Sequence, residues 1–212
     1  GDDDRALLVP RGSHPSVIGP SRAARARGRR VVWLPVDSAG LPDPHALDRA
    51  LGKHSGALVS LTWVHNLTGA ILPWETLAPL LRRHGARVHL DASQGLGKLR
   101  AVEWSELIES VTISSHKLGG PGGIGALAVR RGVQLRPLMH GGSQQGGLRP
   151  GTLCPALAAG FAEASRLATR HAASSTLANR TNALKTALRR LGAQLFREGD
   201  DASGIVLAAF EG

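Results

Sequence analysis

The chain has one cysteine, one methionine, three phenylalanines and no tyrosine in 212 residues. A single cysteine excludes an intramolecular disulfide framework and a cysteine-rich zinc site. A cytoplasmic location is the expectation that fits such cysteine usage. No apolar run approaches the ~20 residues of a membrane-spanning helix, and no stretch resembles a signal peptide. Lysine is also scarce. Only Lys53, Lys98, Lys117 and Lys185 are present among 26 basic residues, the rest being arginine. Nine histidines show no metal-ligand spacing on a helix.

What is present suits a globular chain. Hydrophobic residues make up 42% and charged residues 20%, which argues against wholesale disorder. The length suits one α/β domain or a large fragment of something bigger. The net charge of +10 raises the question of a nucleic-acid partner. The densest cluster, Arg22, Arg25, Arg27, Arg29 and Arg30, lacks interleaved aromatics and reads as a solvated helix face and turn. Nucleic acid is therefore not the expected partner, and no membrane is implied.

Short apolar strands alternate with helices. Strands are expected at residues 6–9, 31–36, 57–64, 87–91, 110–115, 124–129 and 205–210. Helices are expected from Pro15 to about Arg27, from Asp43-Pro44 to Leu51 with Gly52 as the stop, and from Trp74 to His84. A short helical turn is expected over residues 104–108. The longest helical stretch runs from Pro155 to about Gly192, broken near residues 172–174. Such alternation predicts an α/β fold with a mainly parallel sheet sandwiched by helices.

Two residues stand at the C-terminal ends of separate strands, where open α/β sheets bind ligands. Lys117 follows Ser114-Ser115-His116 and precedes the Gly119-Gly120-Pro121-Gly122-Gly123 turn. A lysine entering a cleft from a buried strand is desolvated. It loses its proton more easily and forms a Schiff base with a carbonyl. Asp91 ends the strand Val88-His89-Leu90-Asp91 and is followed by Gln94. An aspartate there pairs with a protonated pyridine nitrogen, making the ring an electron sink. Read singly, Lys117 suits a surface position and Asp91 a helix N-cap equally well.

Four motifs occur together and in order. They are Leu90-Asp91-Ala92-Ser93-Gln94, Ser114-Ser115-His116-Lys117, residues 120–127 (GPGGIGAL) and residues 140–152 (HGGSQQGGLRPGT). With them, nearly the whole chain resembles the cysteine desulfurases of the class V aminotransferase family, a pyridoxal-phosphate-dependent fold. The resemblance implies that Lys117 attaches pyridoxal 5'-phosphate, Asp91 pairs with its ring nitrogen and Gln94 bonds its ring oxygen. Ser114 and His116 would hold the phosphate. Asn66 would sit near the ring hydroxyl, and Thr152 would reach the phosphate of the neighbouring subunit in a homodimer. Ser13-His14-Pro15-Ser16-Val17 matches a further family motif, so His14 would stack on the ring and serve in proton transfer.

Residues 8–14 (LVPRGSH) also spell a protease-site scar common in expression vectors. Their continuation into the family motif in register marks them as native sequence. The match has departures: Ser13 in place of an acid, His65 and Leu67 where the family has asparagine and glutamate, and glycine and proline variants in the loop before Thr152.

The resemblance implies an enzyme that mobilises sulfur from L-cysteine, giving alanine and a persulfide. A sulfur-acceptor protein and iron–sulfur cluster assembly follow as its context. Residues 1–152 would be part of the cofactor-binding large domain, and 153–212 the start of an incomplete C-terminal domain. The family's first phosphate-binding loop, its persulfide cysteine and its substrate-binding arginine would lie outside this stretch. Cys154 is expected to be a small buried residue at a helix start, not that nucleophile. The chain alone would then fall short of sulfur transfer. The alternatives are a non-catalytic relative acting as a partner subunit or remnant, and another class V aminotransferase or lyase.

Overall fold

The computed structural model describes residues 4–99, 106–172, 175–197, 201–202 and 204–211. Six strands form one sheet: β1 (Leu7–Pro10), β2 (Val31–Leu34), β3 (Leu58–Thr62), β4 (Arg87–Asp91), β5 (Ile108–Ser114) and β6 (Gly125–Val129). Their order is β2-β1-β3-β4-β5-β6. All neighbouring pairs are parallel except β5 with β6, which form an antiparallel hairpin. The chain turns to one side of β1 to lay down β2, then returns to the other side with β3. That reversal opens a crevice at the C-terminal ends of β1 and β3, where ligands bind in open sheets.

Three helices fill the crossovers: α1 (Pro15–Ala26), α2 (Pro44–Lys53) and α3 (Trp74–Arg83). Leu8, Leu34, Val59, Leu61 and Val88 from the strands pack with Leu47, Leu51, Leu77 and Leu81 from α2 and α3 in one core. Leu8 and Val9 are fully buried. The scar-like string thus supplies a central strand of the sheet.

Asp43 caps α2 by accepting the Ala46 amide at 2.7 Å, and Pro44 fills the first turn. Gly52, expected to stop this helix, lies inside it. The helix continues to Lys53, and the backbone turns at Gly56 instead. Of the helical turn expected over residues 104–108, the first two lie outside the described residues, Glu106 and Leu107 form a turn, and Ile108 already begins β5.

The long helical stretch is two helices, α4 (Pro155–His171) and α5 (Ser175–Arg190). The last expected strand is reduced to a two-residue pairing of β8 (Ala208–Ala209) with β7 (Gln194–Leu195). Its residues are half-buried or exposed, so the apolar run there does not enter the sheet core. The segment around it is tied elsewhere. Lys185 on α5 pairs with Asp201 at 2.9 Å, and the Ala202 amide donates to Gly69 O at 2.9 Å.

Candidate active site at the carboxyl edge of the sheet

A cleft of about 290 Å³ opens where β1, β3, β4 and β5 end. It is lined by His14, Asn66, Asp91, Gln94, Ser114, His116 and Lys117, together with Ser16, Thr62, Val64 and Ser93. The eighth expected residue, Thr152, is exposed and does not line it.

His14 is the N-cap of α1. Its Nδ1 accepts the Ser16 amide at 3.2 Å and lies 2.8 Å from the Ser16 hydroxyl. An amide only donates, so Nδ1 is the acceptor, and the neutral ring carries its proton on Nε2. Asp91 is buried at the end of β4, where Oδ1 accepts the Ser93 amide at 3.0 Å. Ser114 Oγ donates to Ser93 Oγ at 3.3 Å, joining the ends of β4 and β5.

His116 and Lys117 ride on a single 3-10 turn, Ser115–Leu118. The turn closes at Gly119, whose φ of 82° is open to glycine at no steric cost. Ser115 is fully buried beneath them, and both functional side chains are exposed. This corrects the expectation of a desolvated Lys117. The strand beneath it is only partly covered, and the turn lifts the side chain to the surface.

The lysine near the cleft that is partly desolvated is Lys98. Burial pushes its ammonium below the ordinary lysine range, and the positive charge of Lys117 pushes it further down. Lys98 Nζ donates to Gln94 Oε1 at 2.9 Å.

A second residue passed over by sequence reasoning is His65, noted there only as a departure. It is buried, with Nε2 3.0 Å from Gly12 O and Nδ1 3.3 Å from the Thr68 amide. A carbonyl only accepts, so Nε2 carries the proton and Nδ1 accepts. His65 thereby links the loop before His14 to the loop bearing Asn66. The available signal was its place beside Asn66. Another histidine, His89, sits two residues before Asp91 but bonds Ser110 Oγ at 2.8 Å and does not line the cleft.

Cys154 is exposed at the N-cap of α4, contrary to expectation. The first turn of α4 lies on the outside, and Leu153 and Pro155 beside it are exposed too. The arginine cluster is exposed as expected except for Arg29, which is half-buried and donates to Arg5 O at 3.2 Å. No cluster of potential metal ligands exists among the described residues, and no described helix is long and apolar enough to cross a membrane.

A parallel sheet with a lysine turn after one strand and a buried aspartate ending its neighbour defines a pyridoxal-phosphate-dependent fold. The profile of the family "Aminotransferase class-V" matches residues 2–198, and the chain belongs to that family. Within it, the chain is 42% identical over 164 residues to the mitochondrial cysteine desulfurase of Saccharomyces cerevisiae. That match covers 76% of this chain and 33% of the yeast protein. It is also 42% identical over 159 residues to a cysteine desulfurase of Gluconacetobacter diazotrophicus, covering 74% and 40%. A solved NifS-like protein superposes with a TM-score of 0.87 at 27% identity, covering 98% of this chain and 58% of that one. The chain thus spans well under half the length of these curated relatives.

Pyridoxal phosphate is the cofactor of this family, and the residues present fit it. The cleft offers a carboxylate for a ring nitrogen, an amide for a ring oxygen, a primary amine for the aldehyde, and a hydroxyl and an imidazole for the phosphate.

Proposed function

We propose that this chain is the cofactor-binding part of a cysteine desulfurase. The observation that carries this reading is the convergence of seven expected side chains on one cleft. They come from four strand ends and from positions as distant in sequence as His14 and Lys117. When bound, the cofactor supplies an electron sink for the substrate carbon.

The residues do the rest. Asp91, buried and anchored by the Ser93 amide, presents a carboxylate to the ring nitrogen. Gln94 donates to the ring oxygen, with Asn66 nearby. Ser114 and His116 hold the phosphate. Lys117 would attach the cofactor through its primary amine and would move protons at the substrate carbon. His14 flanks the ring and offers Nε2 for proton transfer. The substrate is L-cysteine. The products are alanine and a persulfide on a cysteine thiol, delivered onward to a sulfur-acceptor protein for iron–sulfur cluster assembly in the cytoplasm. Residues 1–152 are the cofactor-binding part and 153–212 begin a second domain. Thr152 serves the cleft of a second copy in a homodimer.

One observation favours a narrower reading. The sole thiol among the 212 residues, Cys154, does not line the cleft. On that reading these residues bind cofactor and substrate but leave sulfur transfer to a thiol supplied from elsewhere.

The test is titration of the purified chain with pyridoxal phosphate. The visible absorbance of a lysine-bound pyridoxal is expected in the wild type and absent in Lys117→Ala. A wild-type chain without that band, or a Lys117→Ala chain that keeps it, refutes the assignment. Alanine release from L-cysteine then separates the two readings. Turnover at ordinary enzymatic rates by these residues alone would falsify the narrower one.

A further inference from the structure

Gln94 and Lys98 lie on the loop that follows β4. Gln94 lines the cleft and Lys98 does not. Lys98 Nζ stands 2.9 Å from Gln94 Oε1. An ammonium only donates, so it selects one of the two orientations of the Gln94 carboxamide. The oxygen end faces Lys98, and the NH₂ end is left for the cleft.

The loop is built so that this contact holds. Gly95 packs against the Trp63 ring so closely that a Cβ would lie 2.4 Å from it. Gly97 has a φ of +78°, and a Cβ there would lie 2.8 Å from Ala168 Cβ on α4. Backbone bonds from Lys98 N and Leu99 N to Gly95 O, at 3.1 and 3.0 Å, fold the chain back on itself. Lys98 follows this fold and is half-buried, and that partial burial lowers its ammonium pKa.

We propose that Lys98 is a positioning residue that fixes Gln94 as a hydrogen-bond donor toward the ring oxygen of bound pyridoxal phosphate. Without Lys98 the carboxamide is free to turn over and present its oxygen to an oxygen. The two would repel, and the ring would lose a bond that restrains its tilt. This inference rests on the cofactor reading above.

The test measures pyridoxal phosphate affinity and the position of the visible band in Lys98→Met, Lys98→Arg, Gln94→Ala and the Lys98→Met/Gln94→Ala double variant. Lys98→Met is expected to weaken binding about fivefold, the scale of one net hydrogen bond, and to shift the band. Lys98→Arg restores both, because it still donates. In the Gln94→Ala background, Lys98→Met adds nothing, since the two act through one contact.

Gln94→Glu guards against misfolding of the methionine variant. It keeps a partner for Lys98 but removes the donor, and it is expected to weaken binding as well. Wild-type affinity and spectrum in Lys98→Met or in Gln94→Glu overturn the inference. So does an equal loss with and without Gln94. A wild-type chain that forms no Lys117-dependent band removes the cofactor reading and this inference together. A normal wild-type band with an indifferent Lys98 removes the inference alone.

Discussion

His65 joins two loops that each carry a side chain of the cleft. Both ring nitrogens are bonded, one to Gly12 O and one to the Thr68 amide, and Thr68 Oγ1 in turn donates to Ala39 O at 2.7 Å. Removing the ring leaves the half-buried Gly12 carbonyl and the buried Thr68 amide without these partners, besides a cavity. Each unsatisfied group costs about 1–3 kcal/mol. His65→Ala is therefore expected to destabilise the chain by about 2–4 kcal/mol, read by denaturant unfolding. It should also weaken pyridoxal phosphate binding, because His14 and Asn66 lose their common tether. A variant that melts like the wild type and binds normally would show that the link is dispensable. The sequence placed His65 beside Asn66 but could not show its long-range partner, because Gly12 meets it only after β1 and β3 pair with one another. Lys98 escaped notice for the same reason. Its spacing from Gln94 is visible in the sequence, but whether two side chains four apart on a loop touch depends on backbone that glycines bend.

The hairpin of β5 and β6 and the helix α4 together set the lysine turn. Gly120 packs against α4, where a Cβ would lie 3.0 Å from Ala164 Cβ and 2.4 Å from the buried Ser115 Oγ. Gly160 on α4 meets the Pro121 ring in the same way, at 3.2 Å. A methyl at Gly120 must push either the helix or the turn, and overpacking of this kind costs about 1–3 kcal/mol. Gly120→Ala is thus expected to lower stability by that amount and to reduce pyridoxal phosphate affinity about tenfold, a displacement worth one such penalty. Thermal unfolding and the visible band read the two effects. Unchanged affinity with reduced stability would mean that α4 yields and the turn stays put. The elements around this contact were legible from strand alternation and turn residues, since buried parallel strands read as short apolar runs. The failures lie where burial decides. Gly52 stays helical because Leu51 beside it anchors α2 in the core. The apolar run at residues 205–210 pairs over only two residues among the described ones, Ala208 and Ala209 with β7, and its side chains stay half-buried or exposed.

At the scale of the molecule, exposed apolar side chains occur along much of the chain, the segment before α4 among them. Leu138 is 88% exposed, and Met139, Leu148 and Leu153 are exposed with it, on the segment that ends at Thr152 and α4. The +10 charge does not point to nucleic acid, because the arginines of α1 and of the turn after it, exposed but for Arg29, have no interleaved aromatics for bases. Thr152 itself does not line its own chain's cleft. If it holds a phosphate, the phosphate belongs to another copy, and the two roles divide between chains. Lys117→Ala cannot attach the cofactor but still offers Thr152. Thr152→Ala keeps Lys117 but offers no hydroxyl. Alone, the first is expected to form no lysine-bound pyridoxal, and the second to bind about tenfold more weakly, the loss of a charge-assisted hydrogen bond. Mixed after exchange of subunits, the pair should regain wild-type affinity in the one cleft that has both groups, with half the absorbance of that mixed dimer's wild-type counterpart. Restoration requires a dimer and a threonine acting across it. No gain on mixing, with Thr152→Ala still impaired alone, would place the threonine's action within its own chain.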